Sequence, residues 1–270
     1  MIGDITIGQY FPGKSVIHKM DPRMKIIFTM IIIVSLFLCK NFISLGFAVA
    51  ASITIIAVSR ISFKTVFKSI KPLALIIVLT AILNLFYGSG EPVITIGKIT
   101  VNDGGIYSAI FMAVRIIILI IEGSMLTYTT SPTDLTDAIE RLLKPLKYIK
   151  VDVHSIAMIM TIALRFIPTL IEEIEKIIAA QKSRGADIDS GNIFKRVKAL
   201  VPVIIPLFVS SFRCASDLAY AMECRCYRGG EGRTKMKVLK MGKRDYFGLA
   251  AVIAFISLII YFNTLMAAVI

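Results

Sequence analysis

The stretch GIYSAIFMAVRIIILIIEGSMLTY, Gly105 to Tyr128, carries two charged side chains, Arg115 and Glu122, in an otherwise apolar run. It is longer than the roughly 20 residues a helix needs to cross hydrocarbon, so this run decides the class of fold. Four further runs, at about 24–39, 42–59, 72–87 and 246–267, have the same character. The first and third are short and must borrow flanking residues to span. Composition agrees: 56% of the 270 residues are apolar, Trp is absent and mean hydropathy is +0.79, against about 45–50% apolar for soluble domains. The expectation is an all-α integral membrane protein with about five transmembrane helices. The opening MIGDITIGQYFPGKS lacks an apolar core followed by small residues, so no cleaved leader is expected and the first span serves as an anchor.

The net charge of +13 is unevenly placed. Lys and Arg concentrate in 1–23, in 60–71 and above all in 131–245. Loops rich in Lys and Arg stay cytoplasmic, which predicts a multi-pass protein of the plasma membrane with the N-terminus inside and the C-terminus outside. Such charges also meet anionic headgroups of the bilayer, and no nucleic-acid motif accompanies them. Cys39, Cys214, Cys224 and Cys226 read as free thiols, because three fall in the segment placed in the cytoplasm.

The organisation expected is a cytoplasmic lead-in over 1–23, four spans over 24–130, a cytoplasmic domain of long amphipathic helices over 131–244 and a last span over 245–270. Between spans, YGSGEPVITIGKITVNDGG alternates apolar and polar residues around Gly97-Lys98 and predicts a small hairpin. In TTSPTDL, Ser131 can cap a helix that starts at Pro132, with Asp134 completing the cap, through about Leu143. Pro168 divides the next helix, whose Leu170, Ile171, Ile174, Ile177 and Ile178 recur at helical spacing. It ends in QKSRGAD. A second unit repeats the plan: Pro202 and Pro206, then Phe208, Phe212, Ala215, Ala219, Met222 and Cys226 at the spacing of a packing seam, ending in ECRCYRGG.

Several chemistries can be weighed against these residues. GQYFPGKS, Gly8 to Ser15, matches the phosphate-loop spacing G-x-x-x-x-G-K-S. No buried strand precedes it, however, bulky Tyr10 and Phe11 fill it, and Pro12 has no N–H to offer a phosphate. ATP binding is therefore not expected here. Arg115 and Glu122 are intramembrane ionisable groups, seven residues and about 10 Å apart along a helix, so a proton relay competes with simple packing. His18 and His154 lack partners at metal spacing, no metal is expected, and no nucleophile motif such as G-x-S-x-G occurs. Arg184 and Arg225 each close a proline-bearing amphipathic helix. A guanidinium fork at such a tip can enter a partner's groove and bind carboxylates in two-point geometry.

The segments ITIGQYFPGKSVIHKMDPRMKI, TTSPTDLTDAIERLLKPL, IALRFIPTLIEEIEKIIAAQKSRGADIDSG and AMECRCYRGGEGRTK resemble the T component of energy-coupling factor (ECF) transporters over about 235 residues. The resemblance implies a non-enzymatic scaffold that joins two ABC-type ATPases to a small substrate-binding membrane protein, the S component. It implies no cofactor on this chain, with ATP and Mg used by the partner ATPases. It assigns ATPase binding to Ser183, Arg184 and Gly185 and to Cys224, Arg225 and Cys226, where the family has Ala-Arg-Gly. Cys226 replaces the usual glycine, which leaves the end of the second helix open. The S component is expected on Leu170, Ile171, Ile174 and Ile178 and on Phe208, Phe212, Ala215, Ala219 and Met222. Vitamin import is the first expectation; the alternatives are a cobalt or nickel importer and an ion-coupled transporter using Arg115 and Glu122.

Overall fold

The computed structural model describes residues 10–87, 92–96, 99–186, 193–229 and 239–267. The chain divides into two compact units, 8–138 with 238–270, and 139–237.

In the first unit the stretch that decided the fold becomes α5, Asp103–Thr129. Against it pack α1 (Pro22–Leu38), α2 (Phe42–Ser59), α3 (Phe63–Ile70) and α4 (Ala74–Tyr87), a 3-10 turn at Lys71–Leu73 joining the last two. α9, Lys243–Ala267, closes on α1 and α2. Leu36, Leu45, Ala48 and Ile118 form one buried cluster, Ile56, Val66, Met125 and Tyr128 a second, and Met24, Phe28 and Val252 a third. The outward faces stay apolar, with Leu75, Phe67 and Phe247 among the most exposed side chains. Water would not tolerate so much exposed hydrocarbon, but lipid does. α4 and α5 lie very close: a methyl on Gly105 would stand 2.4 Å from the Leu85 carbonyl oxygen. The hairpin that joins them pairs β1 (Pro92–Ile96) antiparallel with β2 (Ile99–Asn102), Ile96 opposite Ile99. Its turn, Gly97-Lys98, lies outside the described residues.

The start of α1 is fixed by polar contacts. Asp21 caps it, accepting from the Arg23 N–H at 2.9 Å, and Pro22 takes the first helical position, where no N–H is needed. Arg23 also pairs with the Asp21 carboxylate at 2.6 Å. The Asp21 N–H donates to buried Asp245 of α9 at 2.9 Å, and that carboxylate also accepts from the Gly242 N–H at 2.7 Å. Lys25 Nζ donates to the Thr129 carbonyl at 2.8 Å. Three segments distant in sequence are thereby tied at one end of the bundle.

α6, Pro132–Leu142, begins as expected, with the Asp134 N–H donating to the Ser131 hydroxyl. A 3-10 segment at Lys144–Ile149 precedes α7, Val153–Ser183, and α8 runs over Ile193–Cys224. Both long helices continue through their prolines. They run antiparallel, as three contacts show in register: Tyr227 hydroxyl to Met158 Sδ, Ser210 to Glu173, and Gln181 to the Pro202 carbonyl.

Among the described residues six helices are long and apolar enough to cross a membrane, against about five expected. They comprise α2, the α3–α4 stretch, α5, α7, α8 and α9, whereas α1 has 17 residues and is shorter than the rest. The sequence reading placed α7 and α8 as amphipathic helices but did not count them as spans, because prolines and flanking charges interrupt runs that a continuous helix joins. All four cysteines are free.

Candidate functional site

α7 and α8 end in the same backbone motif. At the end of α7 the Gly185 N–H donates to the Lys182 carbonyl at 3.0 Å and the Ala186 N–H reaches back to the Gln181 carbonyl at 3.0 Å. Gly185 takes the left-handed conformation this requires, φ +84°. The pair of bonds is a Schellman end, which satisfies carbonyls the helix would leave open. At the end of α8 the Cys226 N–H donates to Glu223 at 2.8 Å and the Tyr227 N–H to Met222 at 3.0 Å. Cys226, at φ +56°, stands where Gly185 stands.

Arg184 and Arg225 therefore both occupy the helix C-cap, and both are exposed. A cation there is favoured by the helix dipole. Ser183 and Cys224 are the exposed last helical residues. Because α7 and α8 are antiparallel, the two tips sit at opposite ends of the pair, roughly 40 Å apart at about 1.5 Å per residue.

The residues expected to meet a membrane partner do not form one surface. Leu170, Ile171, Ile174 and Ile178 are half-buried, and Leu170 and Ile174 share the side of α7 that carries Gln181, which reaches α8. On α8, Phe208 and Phe212 are 61% and 70% exposed, and Ala215 and Ala219 are exposed beside them. With Val201 and Ile205 they make an apolar stripe on the side of α8 opposite buried Val203. Met222 is half-buried at its margin.

The intramembrane charges turn to different partners. Arg115 donates to the Cys39 carbonyl at 2.6 Å and lies over the Phe111 ring at 4.6 Å. Cys39 is the C-cap of α1, so Arg115 closes a helix end belonging to another element. Glu122 is 3% exposed and accepts from the Ser52 hydroxyl at 2.7 Å. Elsewhere, His154 Nδ1 stands 3.1 Å from Glu140.

From Tyr10 on, the segment that mimics a phosphate loop is a hook on the first unit. The Phe11 N–H donates to the Tyr128 carbonyl at 3.0 Å, and the two rings meet edge to face at 5.5 Å. His18 Nε2 lies 3.0 Å from the Phe11 carbonyl, and Nδ1 lies 2.7 Å from the Ser15 hydroxyl. A carbonyl can only accept, so Nε2 carries the proton and Nδ1 accepts from Ser15. Burial holds the His18 imidazole below its ordinary pKa, the Phe11 carbonyl opposing this and the Lys25 cation adding to it. Gly13 abuts the ring, where a methyl would stand 2.7 Å from His18 Cε1. None of these roles had a local sequence signal.

The family described as Cobalt transport protein (CbiQ) matches residues 13–236. The chain is 52% identical over 248 residues to the energy-coupling factor transporter transmembrane protein EcfT of Clostridium kluyveri, covering 91% of this chain and 92% of that one. It is 52% identical to the protein of that name from Ruminiclostridium cellulolyticum (96% and 97% covered) and 45% identical to that from Brevibacillus brevis (96% and 98%).

Proposed function

The chain belongs to the ECF-transporter T-component family, and from that premise we propose that it is the scaffold through which two ATPases drive a substrate-binding S component. It is a multi-pass membrane protein of a transporter complex. The observation that carries the finer reading is the equivalence of Arg184 and Arg225: one exposed arginine, at one position of one motif, presented twice at opposite ends of an antiparallel pair.

Each tip, with Ser183 and Gly185 or Cys224 and Cys226 beside it, enters one ATPase. The guanidinium fork binds carboxylates there, while the Schellman turn fixes its direction. ATP-driven closure of the ATPases changes the separation of their two grooves. A stiff helix pair that bridges them moves in response. The apolar stripe of Phe208, Phe212, Ala215 and Ala219 carries the S component and transmits the motion to it, with Met222 at the edge and the α7 residues Leu170, Ile171, Ile174 and Ile178 supporting α8 from behind.

On this reading the chain is not an enzyme: ATP and Mg belong to the partners, and no cofactor resides here. The lead-in and the segment 131–244 lie in the cytoplasm of a plasma-membrane protein and the C-terminus outside. The cargo is proposed to be a vitamin, chosen by the S component. The matched family's description favours cobalt as a second reading. An ion-coupled transporter is disfavoured by Arg115, which is engaged with a carbonyl and a ring rather than aimed at Glu122.

Mass spectrometry of the intact complex, captured through this chain in mild detergent, tests the reading. Two phosphate-loop ATPases and one small membrane protein per chain are expected. Recovery of the chain alone, transporting ions in liposomes, contradicts it.

A further inference from the structure

We propose that the first unit holds a binding chamber for an anionic phospholipid, which lays one acyl chain inside it. α1, α2, α5 and α9 enclose a cavity of about 450 Å³, within the range of sites that take small ligands, about 300–1,000 Å³. Its walls are mostly apolar, from Phe28 and Ile32 on α1 to Ile55 on α2 and Phe255 on α9, and the Lys25 ammonium on the wall is engaged by the Thr129 carbonyl and Thr130 hydroxyl.

The chamber opens sideways. At one end of the bundle α2 and α9 touch, the Phe47 and Phe262 rings stacking at 4.7 Å. Toward the other end the lining residues Thr54 and Val58 of α2 and Phe247 and Ala251 of α9 are exposed. In a membrane, a gap between two spanning helices faces hydrocarbon. The occupant that reaches it without crossing water is a lipid chain.

Charge selects the headgroup. Arg244, in the first turn of α9, is exposed and lines the same cavity. Arg60, the exposed C-cap of α2, follows two residues after Val58. The acidic residue of the α9 turn, Asp245, is buried, with both carboxylate oxygens taken up by the Gly242 and Asp21 amides. Arg244 at the rim, with Arg60 just beyond the lining residue Val58, attracts an anionic phosphate headgroup. Glu122, deeper in the wall with its carboxyl on Ser52, offers nothing to an anion, so the headgroup stays at the rim and only the chain enters.

The test uses the full chain, alone and in its complex, extracted from membranes in mild detergent. Phosphatidylglycerol bearing a photoreactive group on its acyl chain should label α2 and α9 around Ala51, Ile55 and Phe255 in the unaltered protein. Unlabelled phosphatidylglycerol should compete, and phosphatidylcholine should not. The pair Arg60→Gln with Arg244→Gln should lower retention roughly thirtyfold, and Ala51→Phe, which fills the chamber, should lower it as well, whereas Lys147→Gln should leave it unchanged. Labelling spread over the outer helix faces overturns the proposal, as does equal competition by phosphatidylcholine. So does an Ala51→Cys crosslink to a membrane partner in place of lipid. The labelling pattern of the unaltered chain decides the matter even if a variant fails to fold.

Discussion

Arg184 and Arg225 stand at the same position of the same helix end, although Gly185 follows one and Cys226 the other. The backbone motif is kept and its usual glycine is not. A non-glycine residue in the left-handed region costs about 1–2 kcal/mol, a cost glycine does not carry. Cys226→Gly should therefore steady the α8 tip by about 1 kcal/mol, read as slower hydrogen exchange at the amides of residues 226 and 227. Cys226→Val, β-branched at positive φ, should speed that exchange.

Asp245 joins α9 to the start of α1 through a buried hydrogen bond from the Asp21 N–H, and caps its own helix through a second from the Gly242 N–H. Asp245→Ala removes both acceptors and strands the Asp21 and Gly242 amides. With each bond to a charged group contributing about 1.5–3 kcal/mol, the loss should be about 3 kcal/mol, seen as a lower unfolding temperature in detergent. Asp245→Asn, which keeps one acceptor oxygen, should recover part of it.

Two glycines separate packing from propensity. Gly105→Ala drives a methyl to 2.4 Å from the Leu85 carbonyl oxygen, so α4 and α5 must part, at about 1–3 kcal/mol. Gly46 lies within α2 with nothing within 4 Å of the added methyl. Gly46→Ala should raise stability by up to about 1 kcal/mol, the helix preference of alanine over glycine. Thermal unfolding of the two variants in one detergent checks both signs.

His18 makes the hook sensitive to acid. Its folded-state pKa lies below the ordinary 6.5 because burial disfavours the cation. A depressed pKa means that the neutral ring's contribution is whole above pH 6.5 and is lost as pH falls through the lower folded value. Exchange of the Phe11 amide should rise on acidification through that window. His18→Gln should flatten the dependence, and an imidazole titrating above 6.5 contradicts the account.

Much of the fold was legible because its signals are local. The apolar length of α5, the cap at Ser131, the period-two alternation around Gly97-Lys98 and the arginines before Gly185 and Cys226 each need only neighbouring residues. The rest depends on distant partners. Nothing near Asp245 announces Asp21, and nothing near Arg115 announces the Cys39 carbonyl. The Phe208 stripe was read as a packing seam, since spacing alone cannot tell a face turned to α7 from one turned away. α7 and α8 were undercounted as possible spans because a proline in a sequence reads as a break, while both helices run through theirs.

The claim that the two arginine tips hold the ATPases is tested most directly by co-purification. With Arg184→Glu and Arg225→Glu combined, the chain should still insert and keep its helix content but recover neither ATPase, while each single change should weaken recovery by an intermediate amount. Both substitutions leave the Schellman backbone bonds in place, so a loss reports the guanidinium and not the fold. Undiminished recovery of both ATPases with the double variant would contradict the account.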